Sequence, residues 1–263
     1  MFKFDARTQV IVSENLSATV AEIVQCENAG AVGLLVDQNV AGLVQIKAMM
    51  DDLAKRVKLH PYFVVSREPT TDLVDQTTAE FRGEKLDLLI GVGGGSTLDL
   101  AKAVSVMAVN PGNVADYHGT GKEITGGIKK IMIPTTAGTG SEVTPGAVLV
   151  NTRTFFKRAL GGRHVYPDYA ILDASLTVSM PDVVTASTGM DALAHTIESY
   201  TAQCANRITR MYSREAFSLI FNNLPKAFLD KTNIEARRNL LIGSCLAGYA
   251  IYNSNTGACH SMA

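Results

Sequence analysis

Short β-branched or aliphatic runs alternate with longer amphipathic stretches through the first 150 residues, and this alternation constrains the fold more than any other feature. The runs are "AVGLLVD" (31–37), "YFVVS" (62–66), "LDLLIGV" (86–92) and "KKIMIP" (129–134). Between the first two, Leu43, Ile46, Met50, Leu53 and Val57 recur every three or four residues, the spacing of a helix that lays one face on a sheet. Strand and helix in strict succession predict a parallel sheet, because each right-handed crossover returns the chain in the same direction. The expected fold class is therefore α/β with a mostly parallel, Rossmann-like sheet.

From about Pro181 the texture changes. Stretches such as "RMYSREAFSLIFNNL" and "EARRNLLIGSCLAGYAIY" carry a helical period with no convincing strand between them. We read residues 1–180 as an α/β domain and 181–263 as an all-helical one. Thr232 and Glu235 have capping-box spacing and are expected to start one of its helices.

Composition narrows the ligand. A net charge of −1, from 24 Lys+Arg against 25 Asp+Glu, gives no basic footprint for nucleic acid or an anionic membrane, so a small molecule is expected. Lys3, Asp5 and Arg7 stand where a signal peptide needs its apolar stretch, and no apolar run approaches the ~18 residues of a membrane span. A cytoplasmic protein is the resulting expectation. Cys26, Cys204, Cys245 and Cys259 lie far apart without C-x-x-C spacing, which predicts reduced, buried thiols.

Two turns carry the nucleotide reading. "LLIGVGGGSTLDLAK" reads as strand, glycine turn and helix, so Gly93, Gly94, Gly95 and Ser96 can bring a phosphate to a helix N-terminus. The G-x-G-x-x-G fingerprint is not met, because Ser96 replaces its third glycine. A tight turn with no ligand is the competing reading. Asp37 closes its strand where a carboxylate can bind a ribose diol and repel a 2′-phosphate; a solvated loop acid fits its spacing equally well. The second turn, "PTTAGTGSEVT" (134–144), sets the hydroxyls of Thr135, Thr136, Thr139 and Ser141 directly after "IMI", and a plain polar hairpin competes there.

In "TGMDALAHTIESY", Asp191 and His195 are four residues apart and share a helix face, as metal ligands do in H-E-x-x-H helices. Thr188 and Asp191 fit a capping box equally well, and these residues alone leave the two readings level. "NTGACHSMA" adds His260 as a third ligand from another helix. Two histidines and a carboxylate suit iron(II), zinc or a similar first-row metal. His60 and His118 are read as surface residues.

The segments "GGGSTLDLAK", "IPTTAGTGSEVT", "YPDYAILDASL", "MPDVVTASTGMDALAHTIESY" and "GACHSMA", in this order and spacing, resemble the iron-containing (group III) alcohol dehydrogenases over nearly the whole chain. The resemblance implies a metal-dependent oxidoreductase that moves a hydride between an alcohol or carbonyl substrate and NAD, with NADP disfavoured by Asp37. It implies Fe2+, or Zn2+, held by Asp191, His195 and His260. Gly93, Gly94, Gly95 and Ser96 then form the pyrophosphate loop, completed by Asp99 and Lys102, while Thr135, Thr136 and Thr139 touch the cofactor. It also implies that residues 1–180 are the NAD(P)-binding domain and 181–263 a partial helical metal-binding domain, a homodimer, and a further histidine and a fourth metal ligand beyond Ala263, so that the chain reads as truncated at its C-terminus. Two other readings remain: a zinc-dependent polyol or sugar-alcohol dehydrogenase of the same superfamily, and a non-catalytic nucleotide-binding protein.

Overall fold

In "AVGLLVD" the side chains alternate between two buried faces, and that explains why the run is apolar throughout. Val32, Leu34 and Val36 of β2 (Ala31–Asp37) pack into one core and Leu35 into another. β4 (Leu88–Gly93) repeats the pattern, with Leu88, Ile90 and Val92 on the first face and Leu89 on the second. Burial on both faces is the mark of a parallel sheet covered by helices. The computed structural model describes residues 2–65, 67–257 and 259–260.

The sheet has six strands, all parallel. Besides β2 and β4 they are β1 (Gln9–Val12), β3 (Lys58–Val64), β5 (Lys129–Pro134) and β8 (Tyr169–Leu172), in the order β1-β8-β5-β4-β2-β3. Helices α1 (Leu16–Cys26) and α2 (Val44–Arg56) cover the first face; α3 (Thr71–Phe81) and α4 (Gly95–Met107) cover the second. A two-stranded antiparallel hairpin, β6 (Gly146–Val150) and β7 (Lys157–Gly161), stands apart from the sheet. From β2 the chain moves outward to β3, then returns across β2 to β4. The connections after β2 and β4 therefore diverge, which opens a crevice at the C-terminal ends of those strands, where α/β sheets bind ligands.

After β8 come three helices, α5 (Asp182–Thr201), α6 (Arg207–Leu229) and α7 (Ile234–Ser254). Their shared core takes in Leu172 at the end of β8 as well as Ala137 and Val143 from the segment after β5. Gly140 makes the tightest junction: its φ is 63°, and a Cβ there would lie 2.6 Å from the Cα of Gly248 on α7. Backbone meets backbone at that point, which only glycine permits.

Several details differ from the sequence reading. β3 begins at Lys58, four residues before the apolar run "YFVVS" whose last residue lies outside the described ones, because pairing with β2 starts at Ala31 and carries half-exposed residues into the ladder. α7 is capped by Asn233, whose side chain accepts from the Ala236 N–H, not by Thr232, whose hydroxyl is bound to Asp230. His118 is buried, not on the surface, with Nε2 2.8 Å from the carbonyl of Arg158 on β7. Of the four thiols only Cys245 is buried; Cys26, Cys204 and Cys259 are exposed.

Candidate functional site

The glycine turn and the polar turn fit into each other. Thr135 donates its backbone N–H to the Gly93 carbonyl at 2.9 Å, which fastens the end of β5 to the end of β4. A Cβ on Gly95 would lie 2.6 Å from Cγ2 of Thr139, and one on Gly93 would lie 2.7 Å from Cβ of Thr97 and 3.0 Å from Cβ of Asp37. Gly93 and Gly95 thus let the two turns and Asp37 close up. At Gly94, the N-cap of α4, no side chain supplies a capping hydrogen bond. The first N–H groups of α4 are left for a ligand, as at anion-binding helix N-termini. Behind them Oγ1 of Thr97 is buried and makes no hydrogen bond. Asp37 is buried, and its carboxylate accepts from the Asn39 N–H at 2.9 Å.

Asp99, which lines the cleft beside Gly95 and Ser96, and Lys102 are both bonded to protein groups. Asp99 accepts from the Ser141 hydroxyl at 2.6 Å and from the Val148 N–H at 2.9 Å. The Lys102 ammonium is fully buried, pairs with Asp99 at 3.0 Å, and donates to the carbonyls of Ser141 (3.0 Å), Thr144 (3.3 Å) and Gly146. Together they shape residues 141–148 and so set the wall of the cleft. Thr139 is exposed, and its hydroxyl accepts from the Ser141 N–H at 3.2 Å. Glu142, in the same segment, is sealed away from water, and burial pushes its carboxyl up to about 7 despite the nearby Lys102 and its own backbone N–H.

On the helical side, α5 starts at Asp182 behind Pro181, so Thr188 and Asp191 stand in mid-helix and cannot form a cap. The Thr188 hydroxyl instead donates back to the Val184 carbonyl, and Gly138 of the polar turn seats against this residue. One turn further on, Asp191 and His195 project from the same face. The His260 ring stacks on that of His195, with centroids 4.5 Å apart and 19° between planes. Its Nε2 lies 3.2 Å from Asp191 Oδ1, and His195 Nε2 lies 4.0 Å from the same oxygen. One donor atom from each of the three residues falls within 4.8 Å of the others.

Burial holds the His195 ring below the ordinary imidazole pKa, partly offset by the Asp191 charge and the Gly138 backbone, and that keeps it neutral as a metal ligand must be. His195 Nδ1 is buried without a hydrogen bond of normal geometry. A carboxylate and two imidazoles converging on one point, one of them desolvated, are a donor set that fits a first-row divalent cation.

The sequence reading passed over Glu198. It lies three residues after His195 on the inward face of α5 and is buried, with Oε2 2.6 Å from His260 Nδ1. The detectable signal was the H-x-x-E spacing, which puts acid and imidazole on one helix face. It also passed over the β6–β7 hairpin, which brings Lys157 and Arg158 to the rim.

A single cleft of about 660 Å³ runs between these groups, lined by Gly95, Ser96 and Thr139 at one end and Asp191, His195 and His260 at the other. A helix N-terminus without a side-chain cap and a trio of residues able to hold a metal ion face one space, the arrangement of a nucleotide-binding α/β scaffold joined to a helical layer with metal-ligand chemistry. Comparison with known proteins agrees. The family profile "Iron-containing alcohol dehydrogenase" matches residues 8–174, and "Fe-containing alcohol dehydrogenase family, C-terminal" matches residues 185–263. The chain belongs to the iron-containing alcohol dehydrogenase family.

Among its relatives, the long-chain-alcohol dehydrogenase 1 of Geobacillus thermodenitrificans is 42% identical over 208 residues, which cover 78% of this chain and 52% of that protein. The NAD-dependent methanol dehydrogenase of Bacillus methanolicus is 37% identical, over 74% of this chain and 51% of that one. The chain spans about half the length of the curated relatives it matches. The crystal structure of a sulfoacetaldehyde reductase from Bifidobacterium kashiwanohense in complex with NAD+ superposes with a TM-score of 0.94 at 28% identity, covering 99% of this chain and 69% of that one. No described helix is long and apolar enough to cross a membrane.

Proposed function

We propose that this chain carries the catalytic cleft of a metal-dependent oxidoreductase that interconverts an alcohol and its carbonyl compound with NAD. The single observation that supports this most is the shared cleft, which sets the glycine turn and the Asp191–His195–His260 trio against one volume. When bound, a nicotinamide cofactor supplies the hydride chemistry and a divalent cation the Lewis-acid polarisation of the substrate oxygen. Gly94, Gly95 and Ser96 present backbone N–H groups to the pyrophosphate, with Thr135 and Thr136 along the adjoining strand end. Thr139, Asp99 and Lys102 hold the turns in place. Asp37 selects against a 2′-phosphate by charge, so NAD is preferred over NADP. Asp191, His195 and His260 hold the cation, Fe2+ in our reading, because the family that the chain belongs to is the iron-containing one.

Replacing each of Asp191 with Asn, His195 with Ala and His260 with Ala tests this. All three variants should lose bound metal and turnover together while NAD affinity stays within about twofold. NAD binding with no metal uptake by the unaltered protein would instead support a non-catalytic nucleotide-binding role. The protein acts as a homodimer in the same reading: β1 is an edge strand whose Val10 and Val12 are half exposed, a surface suited to pairing across a two-fold axis. Light scattering at micromolar concentration should give twice the chain mass; a monomer overturns it.

A further inference from the structure

Glu198 makes hydrogen bonds that a mere surface acid of α5 would not. Its side chain is 10% exposed. Oε2 accepts from the Gly257 N–H at 3.0 Å and lies 2.6 Å from His260 Nδ1, while Oε1 accepts from the His260 backbone N–H at 3.2 Å. Gly257 fits against it closely: a Cβ there would lie 3.1 Å from the carboxyl carbon and from Oε1. Each carboxyl oxygen receives a backbone N–H, from Gly257 or from His260, so the group is engaged as an acceptor.

We propose that Glu198 is the positioning residue of the metal site. Its carboxylate accepts a hydrogen bond from the Nδ1–H of His260, fixes that ring as the Nδ1–H tautomer, and turns Nε2 toward Asp191 and His195. The inference rests on the metal reading above. Two features of α5 support it. Asp191, His195 and Glu198 are spaced i, i+4 and i+7, so one helix face carries both ligands and the anchor of the third. And His260 lies beyond the end of α7, 62 residues from Glu198 along the chain; the contacts of Gly257 and His260 to Glu198 tie this segment to α5. Carboxylate partners of ligating histidines commonly change metal affinity 10- to 100-fold.

Glu198, Cys259 and His260 also form a second trio with donor atoms within 4.8 Å. The Glu198 oxygens are already engaged by two backbone N–H groups and the imidazole, and the acid faces the ring nitrogen remote from Asp191. The geometry therefore assigns it to orientation, not to ligation.

Cobalt(II) binding to the metal-free chain, measured by chelator competition, tests the proposal alongside Glu198→Gln and Glu198→Leu. Glu198→Gln keeps size and an acceptor, so it should fold and bind NAD normally while losing about 10-fold in cobalt affinity; Glu198→Leu should lose about 100-fold. In the zinc-loaded chain with 15N-labelled histidine, His260 should retain Nδ1–H, with its proton resonance far downfield, and Glu198→Gln should move it upfield. Unchanged cobalt affinity in Glu198→Gln, Nε2–H retained on zinc-loaded His260, or a sulfur-to-cobalt charge-transfer band from Cys259 would each overturn the positioning role while leaving the metal reading intact. An unaltered chain that takes up no cobalt would overturn the metal reading and this proposal with it.

Discussion

The two ends of the cleft are built by opposite means. At the glycine end the shape is made by side chains that are missing: Gly93 and Gly95 exist so that Thr97, Thr139 and Asp37 can close in, and the groups offered to a ligand are backbone N–H. At the other end the groups offered are the side chains of Asp191, His195 and His260, the first two from one face of α5. A backbone-built site cannot be altered without disturbing the fold, whereas a side-chain site can be deleted from an intact one. Activity and stability should therefore separate at the metal end and move together at the nucleotide end.

The sharpest contrast is expected from Asp191→Ala. Turnover should fall by at least about 10³-fold, or ~4 kcal/mol in the barrier, because the site loses its charged ligand. Thermal stability of the metal-free protein should change by less than about 1 kcal/mol, since Asp191 caps nothing. Calorimetry showing a loss of several kcal/mol would break the comparison.

Gly140→Ala should do the reverse. A left-handed φ and a 2.6 Å clash with the Gly248 backbone predict roughly 3 kcal/mol of destabilisation in urea unfolding, with NAD affinity falling in step. Retained stability would show that the two turns tolerate slack.

Glu142 supplies a pH test of the same rigid wall. Its carboxyl titrates near 7 in the native protein and near 4.5 when unfolded, so the native state holds the extra proton between those values. Stability from this group is thus full below about 4.5, is lost as pH rises to about 7, and is flat above. At about 1.4 kcal/mol per unit the loss is on the order of 3–4 kcal/mol. Glu142→Gln should remove that slope from denaturation midpoints measured between pH 4.5 and 7.5; an unchanged slope would mean the carboxyl is hydrated.

The smallest effect concerns Asp37→Gly, which should narrow the NAD preference about tenfold, or ~1.4 kcal/mol, with kcat for NAD little changed. Wild type that already uses NADP as well as NAD would remove Asp37 from the site.

How much of this was legible follows from what each part depends on. β2, β4 and β5 announce themselves because burial on both faces makes their runs continuously apolar. The shared helix face of Asp191 and His195, one turn apart, is readable for the same local reason, and the glycine cluster at 93–95 because few turns need three. The β6–β7 hairpin was hidden: Lys157 and Arg158 break its apolar pattern, and its partner is the buried side of α4. His118 was misjudged because its burial depends on the Arg158 carbonyl that this hairpin delivers. Glu198 looked like one more acid on a polar face until the approach of Gly257 and His260, about 60 positions away, gave it three donors. Local periodicity survives in sequence; the consequences of long-range approach do not.

The strand order also fixes a schedule for synthesis. β1 is made first, yet its only neighbour is β8, and β8 lies between it and β5. Once Pro134 has left the ribosome, β3, β2, β4 and β5 can pair among themselves, while Gln9–Val12 has no place to dock until Tyr169–Leu172 follows. At roughly 5–20 residues per second that wait lasts some seconds. Throughout it β5, with Ile131 and Ile133 in its core faces, is an open edge able to pair with another nascent chain. β8, the last of these six strands to emerge, is thus the one that closes the sheet on both sides at once, and the yield of correctly folded protein should respond to how quickly residues 135–172 are translated.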